Sequence, residues 1–219
     1  MTGEWPLAPG SDELRAHHEW RPDWTIGRSC LYWYLTFDGA ADLTRVWVEA
    51  EPMLAPLPTV DLVPREWLHL TVLEVGFVDE VQGAELESIL AAARDLTAAL
   101  PPIEVELGQV TTMTDSVVLA ASCEPLAAIR AGLMDAGATG RRQGNDHAAF
   151  RPHVTLGYLN SVAGTRAIMD VFGTPASQPL RLTVPNLMLA AVTRVRNHYR
   201  WEEVATLPLG ADPDGVAAE

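Results

Sequence analysis

The sequence is poor in basic residues, and this shortage excludes several classes of protein. Lys and Arg together number 15 against 29 Asp and Glu, which gives a formal net charge of −14. Such a balance argues against a broad basic face that grips long duplex nucleic acid, and against attraction to an anionic membrane surface. A small anionic ligand held in a locally basic cleft is compatible with it.

Cysteines and long apolar runs are scarce as well. Cys30 and Cys123 are the two cysteines, and both lie in apolar stretches, so we expect buried reduced thiols in preference to a disulfide. No stretch of about 18 apolar residues is present, and no basic segment followed by an apolar run opens the chain. The cytoplasm is therefore the expected compartment, and a monomer is the default expectation.

One short pattern, His-apolar-Thr-apolar, occurs twice, as HLTV at residues 69–72 and as HVTL at residues 153–156. Alternate residues of a strand share a face, so each segment would place an imidazole beside a hydroxyl and bury its apolar residues. One imidazole can accept a proton near neutral pH while the other donates one, and hydroxyls can donate hydrogen bonds to anionic oxygens. The candidate catalytic residues are His69, Thr71, His153 and Thr155.

Two other interpretations of this pattern are weaker. A lone His-x-Thr in a strand is common without any catalytic role, but two copies in apolar strands favour displacement at a phosphate. A metal site is disfavoured, because Thr is a poor ligand and neither segment has His, Cys or carboxylate neighbours at zinc-binding spacing. We therefore expect no metal and no cofactor.

Hydrophobic periodicity predicts an α+β fold with similar halves. Strands are predicted near 30–37, 67–75, 103–110, 116–121, 151–158, 180–192 and 198–206, and helices near 41–55, 83–100, 125–136 and 162–172. Each half thus has a strand, a helix, a His-x-Thr strand and a helix, which indicates two lobes facing across a cleft. In the second His-x-Thr strand, Val154, Leu156 and Tyr158 are expected to point away from His153.

The predicted organisation comprises a partly ordered N-terminal extension at 1–28, a single bilobal domain at 29–206 with lobes from 29–101 and 102–206, and an acidic tail at 207–219. Within the extension, Trp20 and Trp24 should pack on the body, since large aromatic side chains are unfavourable in water. His17 and His18 are expected to be a solvated pair in preference to ligands.

Four residues are candidates for substrate binding, each with a structural alternative. Arg151 stands two residues before His153 and could neutralise phosphate, or it could form a structural ion pair. Tyr32 and Tyr34 alternate along a strand and could stack a nucleobase, or they could pack in the core.

Arg196 belongs to a run of basic residues at spacing two, which predicts a basic stripe along a strand or an exposed hairpin rim. The run consists of Arg194, Arg196, His198 and Arg200. Arg141 and Arg142 lie in a Gly-rich polar loop at 137–149, which could cover the cleft or be solvated.

With these motifs the sequence resembles the two-histidine (2H) phosphoesterase superfamily, in the branch known as the 2′-5′ RNA ligase family. The family hallmark is a pair of His-x-Thr/Ser motifs, each followed by an apolar residue. The flanks VPREWLHLTVLEVGF (63–77) and FRPHVTLGY (150–158), and the entry HEWRPDWTIGRSCLYWYLTF (18–37), look like the actinobacterial members. The resemblance covers roughly residues 18–206.

The resemblance implies a bilobal, pseudo-two-fold fold of antiparallel sheets flanked by helices, with a metal-free site in the cleft. His69 and His153 would act as general acid and general base, in an order that the sequence leaves open. Thr71 and Thr155 would hold the non-bridging phosphate oxygens. Two histidines with ordinary pKa values near 6.5 predict a bell-shaped rate profile with a maximum at roughly pH 6–8.

The expected function is hydrolysis of a 2′,3′-cyclic phosphate on a nucleotide or a short RNA end. Alternatives are hydrolysis or ligation of 2′-5′ linkages, hydrolysis of other cyclic nucleotides, and a non-catalytic module that binds nucleotides or RNA ends. The expected partner is a small nucleotide or short RNA end, with no long duplex and no membrane.

Overall fold

The computed structural model describes residues 13–19, 23–135, 150–172, 179–196 and 198–210. Trp20, the loop with Arg141 and Arg142, the first dozen residues and the chain beyond residue 210 lie outside the described residues. The four helices of the described part are α1 (Ala41–Leu54), α2 (Ala84–Ala98), α3 (Leu126–Asp135) and α4 (Thr165–Met169). Short 3-10 turns cover His17–Glu19, Arg65–Trp67 and Asp170–Phe172.

The strands of the described residues agree with most of the predicted ones. They are β1 (Glu13–Leu14), β2 (Ser29–Thr36), β3 (Val60–Leu62), β4 (His69–Phe77), β5 (Ile103–Met113), β6 (Ser116–Ser122), β7 (His153–Leu159), β8 (Ala163–Gly164), β9 (Leu180–Val184), β10 (Asn186–Val195) and β11 (His198–Pro208). The single strand predicted at 180–192 is two strands. Pro185 stands between them, and a proline has no N–H to donate to a strand ladder.

Eight strands form one antiparallel path in the order β11-β10-β2-β4-β7-β6-β5-β9, and β3 pairs with β7 beside it. This arrangement confirms the α+β class with antiparallel pairing. The two lobes are not consecutive halves of the chain, however. The C-terminal strand β10 pairs with β2 of the first half, and β3 of the first half pairs with β7 of the second. A boundary between residues 101 and 102 therefore does not follow the strand pairing.

The main core lies between the helices and one face of the sheet. The apolar stripes of α1, α2 and α3 supply buried residues such as Leu54, Ile89 and Ile129, and β2 supplies Trp33. Alternate residues of β2, among them Tyr32 and Tyr34, belong to a second, smaller cluster on the opposite face. We call that opposite face, which carries His69 and His153, the histidine face.

Two segments outside the predicted body pack on it. Trp24 is buried in the cluster on the histidine face, as expected from its size. At the other end, β11 continues to Pro208, and both Leu207 and Leu209 are buried, so the body extends beyond residue 206. Cys30 is buried and Cys123 is half-buried, and the two are not joined by a disulfide. None of the described helices is long and apolar enough to cross a membrane.

Candidate active site

The two His-x-Thr strands meet at one pair of residues, Leu70 of β4 and Val154 of β7. Both side chains are fully buried in the main core. In an antiparallel pair, the residues that flank a matched pair lie opposite one another on the other face. His69 therefore lies across from Thr155, and Thr71 lies across from His153. The four predicted catalytic residues are brought together at the junction of the two halves of the sheet.

Both imidazoles are fixed by the same local hydrogen bond. His69 Nδ1 donates to the carbonyl oxygen of Trp67 at 2.9 Å, and His153 Nδ1 donates to that of Arg151 at 2.7 Å. A carbonyl can only accept, so each Nδ1 carries the hydrogen and each Nε2 is the basic nitrogen of the neutral ring. Both rings thus present the nitrogen that can exchange a proton with a substrate.

His69 lies among aromatic rings. Tyr34 stacks on it with the centroids 3.9 Å apart, and Trp201 meets it edge-on at 5.0 Å. The pKa of His69 is lowered from 6.5 to about 4, chiefly by burial; the bond to the Trp67 carbonyl acts in the opposite direction, and the charge of His153 adds to the lowering. His69 is therefore held neutral, with Nε2 as an acceptor.

His153 has a different electrostatic environment. Burial lowers its pKa, while the bond to the Arg151 carbonyl and the negative charge of Asp115 raise it. His17 acts in the lowering direction. Because the charge of Asp115 favours the His153 cation while aromatic rings surround His69, His153 is the imidazole that more readily takes a proton.

Tyr158 was expected to point away from His153, and this expectation is wrong. The pairing of β6 with β7 contains an irregularity, since Val118 pairs with Thr155 but Val117 pairs with Gly157. A bulge of this kind shifts the alternation by one residue and turns Tyr158 onto the histidine face. There its hydroxyl hydrogen-bonds to Thr155, and its ring stacks on that of His17 at 4.1 Å.

His17 and His18 are not a solvated pair. His17 Nδ1 donates to Asp115 Oδ2 at 2.9 Å, and His17 Nε2 and the Tyr199 hydroxyl are hydrogen-bonded to each other at 3.0 Å. The His17 side chain is only 13% exposed. The ring of His18 also contacts those of His17 and Tyr199. Local sequence carried no signal for these contacts, because Asp115 and Tyr199 lie about one hundred and almost two hundred residues away.

The two tyrosines proposed to stack a nucleobase pack against protein rings instead. Tyr34 is buried and stacks on His69. Tyr32 is buried, stacks on Trp24 and donates its hydroxyl hydrogen to Glu74 Oε2 at 2.7 Å. The core-packing alternative thus describes both rings, and Tyr34 contributes to the site by supporting His69.

The predicted basic stripe does not form. Arg194 pairs with Tyr199, and Arg200 pairs with Thr193, which places the two arginines on opposite faces of the β10–β11 hairpin. Arg194 donates to the carbonyl oxygen of Trp24 at 2.9 Å. Arg196 is exposed in the turn of the hairpin with a φ of 42°.

Arg151 lies two residues before the start of β7 and is half-buried. Its carbonyl oxygen orients His153, a backbone role that the sequence did not reveal. As for metal ligands, the ranges that the structure describes contain no group of three or more His, Cys, Asp and Glu side chains arranged to hold an ion.

Comparison with known proteins gives matches in sequence and in fold. A profile of the 2'-5' RNA ligase superfamily matches residues 41–196. No curated protein is similar enough in sequence to count as a match. Among solved structures, TT0787 of Thermus thermophilus superposes with a TM-score of 0.64 at 21% identity, covering 84% of this chain and 99% of that one.

E. coli LigT is also similar in fold. Its complex with NADP+ gives a TM-score of 0.59 at 16% identity, and its complex with 3'-AMP gives 0.60 at 17% identity. Each comparison covers 84% of this chain and 99% of LigT. These matches confirm the fold but give no support to the actinobacterial character expected from the flanks. On the profile match, the chain belongs to the 2'-5' RNA ligase superfamily, the 2H phosphoesterases.

Proposed function

We propose that the protein hydrolyses the 2′,3′-cyclic phosphate of a nucleotide or a short RNA end, with His69 and His153 as a paired general base and general acid. The main support for this proposal is the matched arrangement of the two imidazoles. The two imidazoles have the same Nδ1 bond to a carbonyl two residues upstream, on strands joined at Leu70 and Val154. Two equivalent proton carriers around one point suit displacement at phosphorus.

The environments of the two rings support an assignment of roles. His69, neutral among aromatic rings, takes the proton of the attacking water at Nε2. The water oxygen bonds to phosphorus, the bond to one ribose oxygen breaks, and His153 protonates that oxygen from Nε2. Asp115 favours the protonated form of His153 that this step needs. The products are a phosphomonoester and a free hydroxyl, and each imidazole ends in the state in which the other began.

The threonines supply the stabilisation of charge in this scheme. Thr71 and Thr155 lie opposite the two histidines, and their hydroxyls can donate to the non-bridging oxygens as negative charge develops there. Thr155 is 7% exposed, so little water competes for its hydroxyl. Arg151 is the proposed cation for the phosphate, because it stands two residues before His153 and its carbonyl oxygen contacts that ring.

The class of substrate is supported by the relatives and by the charge. LigT has been crystallised with 3'-AMP, NADP+ and ATP, all of them nucleotides. The net charge of −14 opposes a long polyanion, so we propose that recognition is confined to a few nucleotides around the reacting phosphate. The family description favours a second candidate function, cleavage or ligation of 2′-5′ linkages, which the same acid and base could perform.

A panel of substrates tests the proposal. The protein is incubated in excess EDTA with each of three kinds of substrate: the four 2′,3′-cyclic nucleotides, 3′,5′-cyclic nucleotides and 2′-5′-linked dinucleotides. His69→Ala and His153→Ala are the matched inactive controls. We expect the 2′,3′-cyclic nucleotides to be turned over. Turnover of the 2′-5′ dinucleotides alone would select the second candidate. Binding without turnover in the whole panel, with and without added divalent metal, would overturn the enzymatic proposal.

A further inference from the structure

The N-terminal segment 13–19 is tied to the second half of the sheet beside the candidate site. Its strand β1 pairs with β8, where Leu14 lies opposite Ala163. Further along the segment, the Arg15 amide donates to the carbonyl oxygen of Thr114 at 2.8 Å. Leu14 and Ala16 are both buried. Leu14, Arg15 and Ala16 are thus held in place, and they position His17 on the histidine face.

His17 joins two elements that lie far apart in the order of the strands. Asp115, its partner at Nδ1, is in the turn between β5 and β6, whereas Tyr199, its partner at Nε2, is near the start of β11. The β11 strand is at one end of the sheet order, and β5 and β6 are near the other. The ring also rests on Tyr158, whose hydroxyl bonds to Thr155. One imidazole from the extension therefore connects both sides of the site.

The partner at Nδ1 is the carboxylate that acts on His153. Burial raises the pKa of Asp115, but the hydrogen bond and charge of His17, the hydrogen bond from Ser116 and the charge of His153 together outweigh it, so the pKa lies below the ordinary value. Asp115 thus remains an anion although only 22% of its side chain is exposed. The titratable groups around this cluster are His17, His18, Tyr158, Tyr199 and His153 itself, with His69 beyond it.

We propose that His17 is a positioning residue of the phosphoesterase reaction, which holds the Asp115 carboxylate on the histidine face and ties the β5–β6 turn to the β10–β11 hairpin. The proposal rests on the function proposed above. It also goes beyond that function, because His17 precedes the residues matched by the family profile, which begin at residue 41. The segment before the matched body is, on this proposal, part of the active site of this protein.

The experiment compares His17→Ala, His17→Asn and Asp115→Asn, with Arg15→Ala as the matched control. Arg15 is on the same segment and exposed, and it holds Thr114 through its backbone amide, so this control keeps the segment in place. Asn at position 17 can still donate to Asp115 from an amide nitrogen near the place of Nδ1, although it loses the bond to Tyr199.

In His17→Ala we expect the alkaline limb of the kcat/KM profile, which reports protonated His153, to move to lower pH. The reason is that the Asp115 carboxylate, once it is no longer held by His17, stabilises the His153 cation less. Above that limb the rate should fall roughly tenfold for each unit by which the pKa of His153 falls. Asp115→Asn should give the same shift, the double variant should add little to it, and His17→Asn should lie between wild type and His17→Ala.

A titration of His153 by ¹H–¹⁵N NMR without substrate gives the same comparison independently of turnover. If wild type turned over no substrate, the proposed function would fail while this titration still tested the role of His17. An unchanged His153 titration in both His17 variants would overturn the inference. A shift to higher pH in His17→Ala would also overturn it, because His17 would then act as a repelling cation. Should His17→Ala not fold, the comparison of His17→Asn with Asp115→Asn decides.

Discussion

Leu70 and Val154 are direct partners across the junction of β4 and β7, and the two residues follow His69 and His153 in the chain. This is the only register pair between those strands in the described residues. It joins the two halves of the sheet through the buried face and leaves the two histidines together on the other. The proposed chemistry depends on that contact more than on any other in the fold.

Replacement of either histidine should abolish most of the activity. His69→Ala and His153→Ala are each expected to lower kcat by about 10²–10⁴-fold, because each removes one proton transfer from the transition state. His198→Ala is the control, since its side chain lies on the opposite face from Tyr199 in the β10–β11 hairpin. Steady-state rates on the best 2′,3′-cyclic nucleotide are the measurement. Near-native turnover by either site variant would exclude the paired mechanism.

The aromatic surroundings of His69 should set the acid limb of the rate profile. Trp201→Ala opens one side of the ring to water, which relieves the desolvation that lowers the pKa of His69 to about 4. We therefore expect the acid limb of the kcat/KM profile to move to higher pH, toward 6.5. Glu202→Ala, an exposed change at the next residue, should leave it in place. An acid limb that stayed at the same pH in Trp201→Ala would mean that burial by the Trp201 ring does not lower the pKa of His69.

Stability should fall at acid pH in a way that depends on His69. The ordinary pKa of a histidine is 6.5, and that of His69 in the folded protein is about 4. Between these two values His69 is protonated in the unfolded chain but largely neutral in the folded protein, so protons favour unfolding. The contribution of His69 is therefore fully present above 6.5 and declines as the pH falls toward 4, by about 3 kcal/mol over that interval. Urea unfolding across this range should show a shallower decline for His69→Asn than for wild type. Parallel curves for the two proteins would contradict the depressed pKa.

The threonine hydroxyls should affect the height of the rate profile and not its shape. In Thr155→Val and Thr71→Val a methyl group of similar volume replaces the hydroxyl donor. We therefore expect kcat to fall by about tenfold or more, with both limbs of the profile retained. Single-turnover rates across pH separate height from shape. Tyr158→Phe is a useful comparison, since it removes the partner of Thr155 but leaves the Thr155 hydroxyl in place. An unchanged kcat in both valine variants would remove the hydroxyls from the mechanism.

Much of this site follows from local sequence. Alternation within HLTV and HVTL was enough to predict which residues lie on the histidine face and which face the core, because a strand repeats every two residues. The helices also follow from their apolar periodicity, as the burial of Leu54, Ile89 and Ile129 shows. These features are properties of a few neighbouring residues, and such properties can be predicted from the chain alone.

The remaining features depend on pairing between distant segments. The bulge that turns Tyr158 toward the site arises from its pairing with β6, and no residue of β7 signals it. The pairing of β10 with β2, which moves C-terminal strands into the first lobe, is likewise invisible in the internal repeat. His17 looked like a solvated residue because its partners, Asp115 and Tyr199, become neighbours only in the folded chain.

Burial also changes the expected pH dependence. Ordinary histidines predicted a maximum at roughly pH 6–8, but the pKa of His69 is lowered to about 4 and that of His153 also lies below 6.5. The base must be neutral and the acid protonated, so in the free protein the optimum of kcat/KM is expected between about 4 and 6.5. A bound phosphate anion favours both imidazolium forms, so the kcat profile should lie at higher pH.

The most direct measurement is the pH profile of kcat/KM for hydrolysis of a 2′,3′-cyclic nucleotide in excess EDTA, for wild type, His69→Asn and His153→Asn. We expect a bell for wild type, loss of the acid limb in His69→Asn and loss of the alkaline limb in His153→Asn. Each variant should retain a low residual rate. A wild-type rate that rises steadily to about pH 9, or variants that keep both limbs, would contradict the assignment of His69 as base and His153 as acid.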